Sequence, residues 1–130
     1  MKKFAFIGVI LSFLVACDKP EGEGGNCTIK GMAWIEDWNG SYTQLLAEYP
    51  AADAEVYIIY GNETAVGDRI RANFNGAFEF KYLRKGKYKV YVYSKDKTLQ
   101  SPSGQVAVVK EIEIKNDGDT FNTDTLVIYE

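Results

Sequence analysis

Few side chains in this sequence can do chemistry. Its 130 residues contain no histidine and only two cysteines, Cys17 and Cys27. Without imidazole the chain lacks the commonest general base, the usual activator of a Ser or Cys nucleophile and the commonest zinc ligand. Cys27 therefore reads as a small residue at the start of a strand, not as a nucleophile. Carboxylates can act in pairs without histidine. Glu36, Asp37, Glu48, Asp53, Glu55 and Glu63 fall in or near long connections, but their spacing does not set any two face to face. A hydrolase is thus the least favoured reading. Asn116-Asp117-Gly118-Asp119-Thr120 has the carboxylate spacing of a calcium loop without the downstream glutamate of an EF-hand. It reads as a hairpin turn, and no cofactor or metal is expected.

Aromatic side chains are the larger resource, with nine tyrosines and two tryptophans. Tyr57, Tyr91 and Tyr93 alternate with apolar residues, so they take the parity opposite the core, as does Trp34. Trp38 and Tyr42 fall in the first long loop. Rings on an exposed sheet face can stack on sugars or anchor a protein partner, although outward tyrosines also simply favour strands. Lysines interleave with Tyr91 and Tyr93. The formal net charge of −3 nevertheless argues against a nucleic-acid platform.

The N-terminus carries a different signal. Lys2 and Lys3 precede 13 uncharged residues, Phe4 to Ala16. That run is short for a membrane-spanning helix but right for the apolar core of a secretory signal. It ends in Leu14-Val15-Ala16-Cys17, which resembles the lipobox of bacterial lipoproteins. The resemblance implies cleavage before Cys17, acylation of its thiol and attachment to a bacterial membrane, most readily the outer membrane, facing the surface or the periplasm. Several acyl chains hold a protein durably where one does not. Residues 1–16 are then the signal peptide and 17–26 the lipidated cysteine with a flexible tether. The tether reading rests on four Gly or Pro and three acidic residues from Asp18 to Asn26, with none apolar. The mature chain has 13 basic and 18 acidic residues, net −5.

Residues 27–130 make one domain by length. Short runs of β-branched and aromatic residues alternate with turn signals, the pattern of an all-β sandwich or barrel. Strands are expected at Thr28–Ile35 and Glu55–Tyr60. Ser41-Tyr42-Thr43-Gln44 has the form of a capping box, and Pro50 would stop a helix, so a short helical turn is expected between those strands. Ile70, Ala72 and Phe74 alternate with polar residues, then Asn75-Gly76 precedes Phe78 and Phe80, a strong hairpin signal. After Gly86, Tyr88, Val90 and Val92 share the core parity. Val106–Ile114 places Lys110 on its apolar parity, so a bulge is expected there. Thr120–Tyr129 closes the domain, with Leu126 and Ile128 inward.

Four pieces in order resemble the transthyretin-like, or carboxypeptidase-regulatory-like, β-sandwich: Ile29-Lys30-Gly31, Ala54 to Ile58, Gly76-Ala77-Phe78-Glu79-Phe80, and Leu83 to Val90 with Gly86 and Tyr88. The resemblance implies a seven-stranded antiparallel Greek-key sandwich. It also implies fold-keeping roles for Leu83, Gly86 and Tyr88, the tyrosine hydroxyl tying down nearby backbone. One enzyme branch of that family hydrolyses 5-hydroxyisourate through histidines and a Tyr-Arg-Gly-Ser motif. This chain has neither, so that activity does not carry over. The expectation is a membrane-anchored, non-catalytic lipoprotein acting as a binding or assembly module. Its partners would be the membrane through Cys17 and a protein or glycan. The alternatives are a carbohydrate-binding accessory of a glycan-uptake system and a fimbria-like subunit.

Overall fold

A computed structural model describes residues 20–130; Cys17 and the expected signal peptide lie outside the described residues. Eight strands form two sheets. The first sheet is organised by β1 (Glu23–Trp38), which is flanked on one side by β8 (Thr120–Tyr129). On its other side β5 (Ala77–Leu83) pairs with its first half and β2 (Leu45–Pro50) with its second. The second sheet runs β4 (Asp68–Arg71), β3 (Glu55–Tyr60), β6 (Gly86–Lys95), β7 (Gln105–Ile114).

Period-two alternation explains the core. Val56 and Ile58 on β3, and Tyr88, Val90 and Val92 on β6, are buried and meet Ile29, Phe78, Phe80, Leu83 and Leu126 of the other sheet. Two sheets thus bury one face each against the other, the arrangement of a sandwich. Gly31 is needed where it stands, since a Cβ there would collide with Thr123 Oγ1 and the Phe78 ring.

Several expectations are corrected. The strands number eight among the described residues, not seven, because residues 45–50 are extended and no helix forms. The Asn39 side chain accepts bonds from the Thr43 and Gln44 amides, closing a tight loop that returns Leu45 to the edge of β1. Trp38 accordingly lies at the end of β1, not in a loop. The pairing is not wholly antiparallel, for β8 runs parallel to β1. The Asn75-Gly76 turn does reverse the chain, with Gly76 N–H donating to Asn73 O at 2.9 Å. The strands it joins enter different sheets, however, so it is a corner of the sandwich and not a hairpin; Phe74 at its apex is 89% exposed. No bulge occurs at Lys110, whose strand pairs with β6 in unbroken register. As β7 is an edge strand, the aliphatic stem can lie along the core while the ammonium reaches water.

Part of the segment expected as a flexible tether is instead ordered in the fold. Glu23–Asn26 open β1, and the chain just before them is docked. Arg84 N–H donates to Gly22 O at 2.8 Å. The Gly22 N–H donates to the Tyr88 hydroxyl at 3.0 Å, and that hydroxyl donates to Arg84 O at 2.5 Å. The Lys87 amide donates to Glu21 Oε1 at 3.2 Å. Tyr88 therefore buries its ring and ties down backbone, the role expected for it.

Candidate binding face

Three of the expected ligand residues come together on the outer face of the second sheet. Tyr57 of β3 stands opposite Tyr91 of β6 in the ladder. Their rings stack with centroids 5.0 Å apart at 13°. Tyr93, two residues along β6 and hence on the same face, meets both edge-on, 5.5 Å from Tyr57 and 5.6 Å from Tyr91. Offset-stacked and T-shaped pairs are the favoured arrangements of such rings, each worth about 0.5–1.5 kcal/mol beyond burial. Tyr91 is the clamped member at 8% exposure, and Tyr93 presents its ring at 49%.

Charged groups frame the rings. The Tyr57 hydroxyl donates to Glu55 Oε2 at 2.8 Å. Glu55 also lies 3.7 Å from Arg69 and 4.0 Å from Arg71, both on β4. These ion pairs are largely exposed and contribute little stability, about 0–1 kcal/mol each, which leaves their hydrogen-bonding capacity available to a ligand. The Glu55 hydrogen bond, followed by partial burial, raises the Tyr57 hydroxyl above its ordinary pKa. Burial, then the neighbouring Tyr93 hydroxyl, raises Tyr91. These two rings of the face therefore stay neutral at physiological pH. The three rings form a platform and not a pocket: one surface depression, around Lys30, Met32 and Glu79, reaches Arg71 but none of the tyrosines, and another lies around Gly24, Gly25 and Lys115.

The other two expected residues do not join this cluster. Trp38 lies under the Lys97 ammonium, 4.3 Å from the ring centroid, with the Tyr129 ring 5.2 Å from the same ammonium. Tyr42 sits in the β1–β2 turn at φ 53°. Trp34 is on β1, in the other sheet. Lys97 belongs to a loop organised by Asp96. That carboxylate accepts bonds from the Thr98 amide and hydroxyl and from the Gln100 and Ser101 amides. The Thr98 hydroxyl bond, foremost, and the backbone donors hold its pKa below the usual value. Sequence reading missed Glu55, Arg69 and Arg71 as companions of the tyrosines. Their alternation with core residues marked them as outward, but not as neighbours of Tyr91. Among the described residues no group of three or more His, Cys, Asp and Glu side chains is placed to hold a metal ion. Asn116 to Asp119 forms a turn, with Gly118 at φ 82°.

No family model matches the chain, and no curated protein matches it. Among solved structures it is similar to that of a putative carbohydrate binding protein from Pseudomonas aeruginosa, at 12% identity over 84% of this chain and 91% of that one, with a TM-score of 0.48. So loose a likeness carries no conclusion about a ligand.

Proposed function

We propose that this chain is a non-catalytic binding module on a lipid anchor, and that the Tyr57–Tyr91–Tyr93 face recognises a glycan. The ring cluster carries the reading. The half-exposed Tyr93 ring offers a π-surface to the C–H face of a pyranose, while Glu55, Arg69 and Arg71 offer an acceptor and donors to its hydroxyls. Two carboxylates poised for hydrolysis are not part of this reading, which draws on the single carboxylate Glu55 beside the rings. The transthyretin-like assignment is supported by Leu83 and Tyr88, buried as that motif implies at 2% and 1% exposure.

The anchor would be Cys17. Three peptide steps separate it from Pro20, a reach of at most about 11 Å fully extended. With Glu21 and Gly22 docked, the base of the sandwich would rest close to the bilayer. The 16 residues of β1 would carry its far end roughly 50 Å outward. Two experiments test the two halves separately. Retention on glycan affinity gels or arrays should be lost in Tyr93→Ala and weakened in Arg69→Ala; wild type that binds no glycan overturns the ligand reading. Cys17→Ser should leave the membrane fraction or remain unprocessed; a variant that is still acylated and membrane-bound overturns the anchor.

A further inference from the structure

Around the three rings the outer face of the second sheet carries charge, and the pleat says where. Alternation puts every second residue of its four strands on that face. The charged ones are Arg69 and Arg71 on β4, Glu55 on β3, Lys87, Lys89 and Lys95 on β6, and Glu111 and Glu113 on β7. Five cations against three carboxylates give the face a formal net charge of +2, on a chain whose total is −3.

The register shows that this surplus is not spread evenly. Lys87 stands opposite Glu113 and Lys89 opposite Glu111, cross-strand neighbours of opposite sign that offset one another. Both lie toward the Gly86 end of β6. Further along, Tyr91 faces Val109, Tyr93 faces Ala107 and Lys95 faces Gln105, so β7 brings no acid to the ring half of the face. Beside the rings stand Lys95, Arg69 and Arg71, with Glu55 the one carboxylate on these strands to oppose them. Glu55 does not close either guanidinium fork. Both arginines approach the same oxygen, Glu55 Oε1, at 3.7 and 4.0 Å, longer than the roughly 2.7–3.2 Å of a hydrogen bond. The other carboxylate oxygen takes the Tyr57 hydroxyl. Lys95 is exposed and makes no ion pair among the described residues. It is the next outward residue after Tyr93, about 7 Å along the strand, and its flexible stem can carry the ammonium over a sugar stacked on that ring.

We infer, resting on the glycan reading of these rings, that the sugar is an acidic one, bearing carboxylate or sulfate groups. Its ring lies on Tyr93, and its anionic groups are met by Lys95 at the end of the cluster and by Arg69 and Arg71 at its side. A neutral sugar would leave three cations sharing one carboxylate. An acidic one supplies the missing charge, and charge-assisted hydrogen bonds to a guanidinium or ammonium are about twice as strong as neutral ones. Rings among cations also suit single-stranded nucleic acid, but such platforms stack successive bases on successive open rings. Here Tyr91 is 8% exposed beneath its neighbours, and Tyr93 presents the one ring that is about half open. The geometry therefore favours a saccharide.

Binding of the detergent-solubilised full chain to an array of neutral, uronate-bearing and sulfated glycans tests it. Acidic members should be retained and their neutral counterparts not, with retention falling as NaCl rises from about 0.05 to about 0.5 M. The two acidic sets distinguish carboxylate from sulfate. Lys95→Ala should weaken acidic binding about tenfold, the loss of one hydrogen bond to a charged group, and Glu55→Gln should strengthen it. Lys87→Ala removes an equal charge from beside Glu113 and should change nothing. Neutral glycans bound as well as acidic ones overturn this inference and leave the glycan reading standing; no glycan bound overturns both. Equal losses in Lys87→Ala and Lys95→Ala, or a single-stranded oligonucleotide retained as firmly as the acidic glycans, overturn it as well.

Discussion

Replacing Tyr88 by phenylalanine removes one oxygen and leaves the ring in place. The ring is 1% exposed and meets Tyr60 edge-on at 5.9 Å, so packing should persist. The lost oxygen accepts from Gly22 N–H at 3.0 Å and donates to Arg84 O at 2.5 Å. Gly22 is buried, and the vacated space is one atom wide, too small to admit a bridging water. Its amide is therefore left without a partner, at a cost of about 1–3 kcal/mol, and the second bond adds about 0.5–1.5 kcal/mol. A loss of about 2–4 kcal/mol follows, and the chain before β1 should come free of the Arg84–Tyr88 segment. Urea unfolding of the purified protein reads the first effect. Amide exchange at Gly22, or proteolysis next to Glu21, reads the second. With the proposed anchor at Cys17, release of residues 20–22 would also lengthen the leash on the whole domain. A loss below about 0.5 kcal/mol with Gly22 still protected from exchange would refute the reasoning, since an unsatisfied buried amide cannot be that cheap.

Gly31→Ala should destabilise the domain by about 1–3 kcal/mol through overpacking against Thr123 and Phe78; a thermal melt at the wild-type temperature would contradict the close approach. Burial, reinforced by Asp68 and Glu23, pushes the Tyr60 hydroxyl up to about 12. A folded value above the unfolded one means stability is full below about pH 10 and is lost as pH rises toward 12. Two units correspond to at most about 2.7 kcal/mol, which solvent screening reduces to about 1–2 kcal/mol. Urea titrations across that range should show the fall together with phenolate absorbance, and a flat profile would count against it. Asp96→Asn halves the acceptor strength behind the Lys97 loop. Amides of Thr98, Gln100 and Ser101 should exchange faster, and because the Asp96 pKa is lowered in the fold, the same loosening should appear in wild type as pH falls below the ordinary carboxylate value.

Local chemistry was legible wherever it was self-contained. The alternation in Glu55-Val56-Tyr57-Ile58-Ile59-Tyr60 marked Val56 and Ile58 as core, and both are fully buried. The same rule placed Tyr57, Tyr91 and Tyr93 on the outward parity. It failed where two local signals competed or where a turn had to choose a destination. Ser41-Tyr42-Thr43-Gln44 has a helix-capping form, yet Asn39 captures the Thr43 and Gln44 amides first. The open flank of β1 then offers Leu45–Pro50 a ladder of long-range bonds. Asn75-Gly76 announced a reversal correctly, but a dipeptide has no information about which sheet each flanking strand will join.

Pleat geometry has a period of two residues, so sequence alone determined which face the side chains of β3 and β6 take and that Tyr88 would be buried. Strand neighbours are set by competition among segments far apart in the chain, and only the tertiary structure decided them. That competition brought Tyr57 against Tyr91, 34 residues later. It laid β8 parallel to β1 and docked Gly22 onto Tyr88.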